Sequence, residues 1–596
     1  MKKQIKVMDT SFRDGFQSVY GARVFTKDFI PALQAAVDAG LRHFEVGGGA
    51  RFQSPIFYCN ENAFDMMDTI RKTVGPYVNL QTLARGVNVV GLESQPRDMI
   101  DLHAKMFKKH GMTTIRNFDA LNDVNNLIDS ANSITNHGLN HEVTITMMAL
   151  PLGCEGAHTP EFYERVLRSI LDSGLPFTSL AFKDASGTST PNTVYETVKR
   201  TREILGPDMH IRFHSHETAG TGLACYMAAL QGGADGLDLA MKPVSGGTAQ
   251  PDIISMWHAL RGSEFDLGVD IKKIMETEEI FKDCMKDYFL PPEALSVNPQ
   301  IISSPLPGGA LTANTQMLRD NNIMDKFPLI VTAMNDVVKK GGFATSVTPV
   351  SQFYFQQAFN NVMFGEWKKI ADGYGKMVLG YFGKTPCEPD PEVIKAAQEQ
   401  LGLEPTTEKV VDINDKDTSK GVEAAKKMLS DAGLEINEEN IFIAGACKEK
   451  GIAFLQGKGT IGVRKNEKKE EASKVSSDNN SCVVTVNGKA YDVKIDGNKA
   501  TVNGKTYDVA IGQGSSTQEV KTSSGGEFEV KAPLPGNVVR IVTSKGASVK
   551  KGDVLFVVEA MKMETEVQAP QDGVVAEILI SQGQQIQTDQ VVIKLS

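Results

Sequence analysis

The chain has 596 residues, 41% apolar and 23% charged, the composition of a globular protein too long for one core and divided into roughly three or four domains. A net charge of −10 argues against nucleic acid as a partner, because phosphate binding needs a concentrated basic surface. Seven cysteines without a CxxC pair read as reduced thiols, and neither the opening MKKQIKVMDTSFRDG nor any later run has the apolar length of a signal core or membrane span, so a cytoplasmic chain is expected.

Through the first 250 residues, short β-type runs alternate with amphipathic stretches. The predicted strands are 5–10, 43–49, 79–85, 113–120, 141–149, 179–186, 210–218 and 236–246, with helices such as Pro160–Gly174 and Pro191–Gly206 between them. Eight β-plus-α units predict a (β/α)8 TIM barrel over residues 1–300. Chemistry in that fold sits at the C-terminal strand ends, and Arg85, Asp119, Lys183, His214 and His216 all close their strands. From 301 to 463 the patterns are helical, broken at SSPLPGGALT and ATSVTPVS, and predict an appendage to the barrel.

Residues 464–481, charged and then polar, read as a solvated linker. In 482–510 the repeat TVNGKAYDV (485–493) and TVNGKTYDV (501–509) gives two hairpins with Asn-Gly turns, a small β module suited to association. The stretch 511–526 is a Gly/Ser-rich flexible linker with an r.m.s. span of about 20–24 Å. In 527–596, Ala532-Pro-Leu-Pro-Gly536 recurs 37 residues on as Ala569-Pro-Gln-Asp-Gly573, and Ser544-Lys-Gly546 recurs as Ser581-Gln-Gly583. Two similar halves predict an all-β flattened barrel, with Glu559-Ala-Met-Lys-Met-Glu564 in the turn between them.

Lys562, between two methionines at that tip, has no packing reason to be there and offers its amine for modification. His214-Ser-His216 places two imidazoles on one face of a strand, because side chains alternate with period two. Such a pair suits a divalent cation when a carboxylate joins it, and Asp14, in Arg13-Asp14-Gly-Phe-Gln17 just after the first strand, lies at the same barrel mouth. Read alone, Lys183 is a salt-bridged strand-end lysine and Thr348 an ordinary turn residue.

Residues 527–596 closely resemble biotin carboxyl carrier domains, and Met561 and Met563 separate them from lipoyl domains, whose lysine usually follows Asp and precedes Ala. RDGFQS resembles the RDxxQS of the carboxyltransferase domains of pyruvate carboxylase and oxaloacetate decarboxylase. LARGVNVVG, RNFDALNDV, FKDASGT and HSHETAGTG resemble that family's later strand-end motifs in the same order, over about residues 5–370. The resemblance implies biotin on Lys562 and one divalent ion (Zn, Mn or Co) held by Asp14, His214, His216 and a CO2-carbamylated Lys183. It also implies Arg85, Gln17 and Arg13 on the substrate, and Thr348 as the proton shuttle. The sequence departs from the family at WGGATFD, which here reads Gly47-Gly-Gly-Ala-Arg-Phe-Gln53, and at Leu92, where a tyrosine is usual. Both changes are expected near the substrate pocket, so the 2-oxo acid is less defined than the reaction.

The implied reaction passes CO2 between C3 of a 2-oxo acid and N1 of biotin. Nothing resembling an ATP-grasp biotin carboxylase is present, so the second reaction site is expected on another subunit. The first reading is the α subunit of a sodium-pumping oxaloacetate decarboxylase, favoured by the paired VNGKxYDV module and the MKMETE carrier. Its partners would be an integral membrane decarboxylase subunit and a small anchoring subunit, holding the chain peripherally at the inner face of the membrane. The alternative is the biotin-carrying subunit of a two-subunit pyruvate carboxylase, charged by a separate ATP-dependent biotin carboxylase subunit and making oxaloacetate. Metal-dependent aldolase-type lyases and synthases share the RDGxQ-like start and the HxH pair but lack the biotin domain. A biotin protein ligase is implied as a further partner, and the family implies a homo-oligomer.

Overall fold

A parallel strand set must bury both its faces, and here the chain does so by closing on itself. The computed structural model describes residues 2–466, the strands 481–486, 489–496, 499–502 and 505–508, and residues 528–533, 535–560, 563–587 and 590–596. It comprises two compact units, Met1–Lys465 and Asn466–Ser596.

In the first unit eight parallel strands form a closed barrel. They are β1 (Lys6–Asp9), β2 (His43–Glu45), β3 (Asn79–Ala84), β4 (Thr114–Phe118), β5 (Asn140–Thr146), β6 (Ser179–Asp184), β7 (His210–Ser215) and β8 (Gly236–Leu239). Closure comes from β1 pairing with β8, from Lys6 opposite Gly236 to Asp9 opposite Leu239. The eight predicted strands are all present. The helices between them bury one face each: Thr159 accepts from the Phe162 N–H to cap Pro160–Ser173, and Gly174 ends that helix in the left-handed region at φ 69°.

The barrel interior is charged. Arg116 on β4 donates to Glu142 of β5 at 2.7 Å and to Asp238 of β8 at 2.6 Å. β4 and β8 are not neighbours, so the second contact crosses the interior. Arg212 of β7 adds contacts of 3.4 Å to both acids. Burying these charges is tolerable only because each is paired, and removing one partner strands the other in a dry site.

Beyond the barrel the unit continues as helices from Ile271–Met285 to Glu438–Leu455. Phe442 of the last packs on Phe52, Phe64 and Phe107 of the barrel layer, tying the appendage to the barrel. Among the described residues no helix is long and apolar enough to cross a membrane.

In the second unit Ser481–Val486, Lys489–Asp496, Lys499–Val502 and Lys505–Asp508 form a four-stranded antiparallel meander. The intervening Asn487-Gly488 and Asn503-Gly504 lie outside the described residues, as do 467–480 of the first linker and the second linker, 511–526. The C-terminal strands make two four-stranded sheets. Gly536–Ile541 and Gly573–Ile578, 37 residues apart, have the same alternation of buried and exposed positions, as do Ser548–Val549 and Gln585–Ile586. The sequence repeat is therefore a repeat of packing. Val554–Ala560 pairs with Met563–Gln568 as far as Ala560 opposite Met563. Lys562 and Met561 themselves lie outside the described residues.

Candidate active site

The first functional segment stays at the barrel mouth. After β1, Ser11–Gly15 winds into one wholly buried π turn, begun by the Ser11 N–H donating to Asp9 Oδ1 at 2.9 Å. The turn aims Arg13 and Asp14 inward. Arg13 pairs with the buried Glu45 at 2.7 Å and with Asp14 Oδ2 at 3.1 Å. The β6–β7 register sets Lys183 beside His214.

Asp14 Oδ2 lies 3.1 Å from His214 Nε2, 3.4 Å from His216 Nε2 and 3.3 Å from Lys183 Nζ. Lys183 Nζ is 2.7 Å from His214 Nε2, and the two Nε2 atoms are 3.3 Å apart. Asp14, His214 and His216 are the group of metal-capable side chains, among the described residues, whose ligand atoms all fall within 4.8 Å of one another. Both imidazoles are held from behind. His214 Nδ1 meets Asp238 Oδ2 at 2.8 Å, and His216 Nδ1 meets the Thr248 carbonyl at 2.6 Å. Those acceptors require Nδ1 to carry the hydrogen and leave each Nε2 lone pair facing the cluster.

The electrostatics follow from this crowding. Burial pushes the Asp14 carboxyl up, but Arg13, Lys183 and His216 outweigh it and hold the pKa well below the usual carboxylate range. Burial pulls Lys183 below the ordinary lysine value, only partly opposed by Asp14. Burial and then Lys183 lower His214. Two inward nitrogen lone pairs and a carboxylate oxygen at such spacing repel one another unless positive charge lies between them. That donor set, two imidazoles and a carboxylate backed by ordered partners, fits a divalent cation that takes nitrogen and oxygen ligands.

Arg85 follows β3, and its guanidinium Nη1 donates to the Val90 and Gly91 carbonyls at 2.8 and 2.9 Å. Nη2 lies 2.9 Å from where a Cβ on Gly49 would stand, and a Cβ on Gly48 would meet Thr82 Oγ1 at 2.1 Å. Gly47, Gly48 and Gly49 all have positive φ, so this run alone lets the loop lie against β3. Burial and then Arg13 draw Arg85 down to about 9, and among the described residues no carboxylate pairs with it. Its unpaired Nη2 edge is suited to an incoming carboxylate.

Gln17 is half-buried and accepts from Arg13 Nη1 at 3.3 Å. Thr348, also half-buried, sits in a loop pinned to the barrel mouth. The Thr345 N–H donates to the Ala120 carbonyl at 2.7 Å, Thr146 Oγ1 bonds Thr345 Oγ1 at 2.9 Å, and Ser346 Oγ donates to Pro305 at 2.6 Å. No hydrogen bond among the described residues joins Thr348 to the cluster. Asp119, just past β4 at its C-terminal end, closes its own loop: it accepts from the Leu121 and Asp123 N–H groups at 3.0 Å and from Asn126 Nδ2 at 3.1 Å. Gln53 faces the Ala446 carbonyl of the last helix at 3.5 Å. Leu92 follows the two carbonyls that hold Arg85. Glu45, Asp238 and Gln250 belong to the cluster's surroundings although the motifs did not single them out.

Three family models cover the chain: HMGL-like over residues 4–281, a conserved carboxylase domain over 301–503, and biotin-requiring enzyme over 528–595. A pyruvate carboxylase subunit of Methanocaldococcus jannaschii is 30% identical over 564 residues, 94% of each chain. The 2-oxoglutarate carboxylase large subunit of Hydrogenobacter thermophilus is 29% identical over 606 residues, 94% of this chain and 90% of that one. The carboxyl transferase domain of Rhizobium etli pyruvate carboxylase shares the fold, with a TM-score of 0.69 at 22% identity over 85% of this chain and 88% of that one. With barrel, appendage and carrier all in the order of its relatives, the chain belongs to the family of biotin-dependent carboxyltransferase subunits that includes the Methanocaldococcus jannaschii pyruvate carboxylase subunit.

Proposed function

We propose that the chain is the carboxyltransferase subunit of a two-subunit pyruvate carboxylase, carrying biotin on Lys562 and delivering CO2 to pyruvate. The observation that carries this reading is the relation to a pyruvate carboxylase subunit over 94% of both chains. The sodium-pump decarboxylase ranks second, since only the VNGKxYDV repeat and the carrier motif favour it. The aldolase-type reading fails to account for the biotin-requiring segment at 528–595.

In this reading Asp14, His214, His216 and Lys183 hold one divalent ion. When bound, that ion would supply Lewis-acid polarisation to a 2-oxo acid oxygen. Lys183 is prepared for its part by burial, which favours the neutral amine. The neutral amine nitrogen attacks the carbon of CO2 and the proton it loses passes to water, leaving an N-carboxylate whose oxygen can face a cation that an ammonium would repel. Arg85 takes the substrate carboxylate, and Gln17 and Arg13 also contact the substrate, with Arg13 held in place by Glu45. Thr348 Oγ1 moves the proton that must leave C3 when the carboxyl group arrives there.

The test is reconstitution. With a biotin carboxylase subunit, ATP and bicarbonate, the chain should convert pyruvate to oxaloacetate, read by NADH oxidation through malate dehydrogenase. 2-Oxoglutarate is run beside it, with substrate-dependent ADP formation as the readout common to both acids, and turnover of that acid alone would reassign the substrate. ATP-independent, sodium-coupled decarboxylation with a membrane partner would restore the decarboxylase reading.

A second expectation concerns the metal. His216→Ala should lose most of its bound metal and at least about 100-fold in activity, because one ligand of four is gone. Metal content by mass spectrometry is the measurement, and full occupancy would move the site elsewhere.

A further inference from the structure

Gln250 has no part in the reading above, yet its side chain is fully buried against the cluster. Its amide end, Nε2, lies 3.0 Å from His216 Nε2, 3.2 Å from Asp14 Oδ2 and 3.4 Å from His214 Nε2. These are the spacings the three ligand atoms keep among themselves, 3.1 to 3.4 Å. The carboxamide therefore ends at a ligand's position.

Its other end explains which atom belongs there. Thr10 Oγ1 lies 2.8 Å from Gln250 Oε1 and 3.0 Å from the Leu239 carbonyl. A hydroxyl has one hydrogen to donate, so one of those two oxygens faces a lone pair. Turning the carboxamide by 180° removes the conflict. Nε2 then donates to Thr10 Oγ1, Thr10 donates to Leu239, and Oε1 faces Asp14 and the two histidines. The same turn takes N–H groups away from a cation and replaces them with an oxygen.

We propose that Gln250 is a further ligand, giving its carboxamide oxygen to the divalent ion. The inference rests on the metal reading of Asp14, His214 and His216. The experiment strips full-length protein with a chelator, reloads it with Co(II), and measures cobalt affinity and the visible absorption that reports coordination number. Gln250→Leu should weaken cobalt binding by at least about 10-fold and change the spectrum. Gln250→Glu should bind cobalt at least as tightly as wild type, since a carboxylate presents an oxygen whichever way it turns. If Gln250 served only as an N–H donor to Asp14, the Glu variant would bind more weakly, having lost the donor and set a second carboxylate against the first. A weaker Glu variant, or a Leu variant with wild-type affinity and spectrum, overturns the proposal. Should the Leu variant not fold, the Glu variant decides. His216→Ala separates the two levels: if it also binds cobalt normally the metal reading itself is wrong, and if it alone loses cobalt only the role of Gln250 fails.

Discussion

Lys562→Arg should give a chain that binds no avidin and makes no oxaloacetate with its partner, yet still decarboxylates oxaloacetate when free biotin is supplied. The carrier works by covalent attachment, and a guanidinium, charged at all accessible pH, is a poor nucleophile for the acyl transfer that attaches biotin. The fold should not notice. Pairing between the flanking strands ends at Ala560 and Met563, while the buried residues of that hairpin are Leu555 to Val558 and Val567. Far-ultraviolet circular dichroism and the melting midpoint should therefore match wild type. The barrel of the first unit has its own core and closure, so the half-reaction with free biotin should survive. Intact mass after coexpression with a biotin ligase supplies the direct reading: one adduct in wild type and none in the variant. An adduct that persists would place biotin on another lysine.

The barrel was legible because each strand is a short apolar run bracketed by polar strand ends, and burial on both faces leaves few other arrangements. Period two alone put His214 and His216 on one side. What the chain order hid is convergence across distance. Gln250 and Asp14 touch although 236 residues separate them, and they do so because β8 closes on β1. Asp238 sits in an apolar strand, GLDLA, where a lone acid gives no sign that it will meet both Arg116 and His214. Asp119 closes its strand as expected, but a strand-end position alone assigns no role, since a carboxylate there can serve its own loop as readily as a ligand. The direction of reaction was not legible at all. A catalyst lowers the barrier in both directions, so one set of site residues can serve carboxylation or decarboxylation, and the VNGKxYDV repeat contains none of the candidate site residues.

Thr348→Ala should stop carboxyl transfer while leaving metal and substrate binding nearly intact. Exchange of a proton between biotin N1 and substrate C3 needs a group that both donates and accepts, and a hydroxyl does both. Losing such a group typically costs about 10²- to 10⁴-fold in turnover. The loop should hold its place without it, because its anchors are Thr345 on Ala120 and Thr146, and Ser346 on Pro305. The loss should therefore appear in kcat, with KM and metal content unchanged, and Thr348→Ser should recover most of the rate. Arg85→Lys should show the opposite bias. One guanidinium edge already bonds the Val90 and Gly91 carbonyls, leaving the other for the substrate, and a lysine ammonium cannot serve both. Its KM should rise at least about 10-fold while kcat falls less. Free-biotin-stimulated decarboxylation of oxaloacetate by this chain alone reads both variants without any partner subunit. Turnover by Thr348→Ala at the wild-type rate would hand the proton to another group at the barrel mouth.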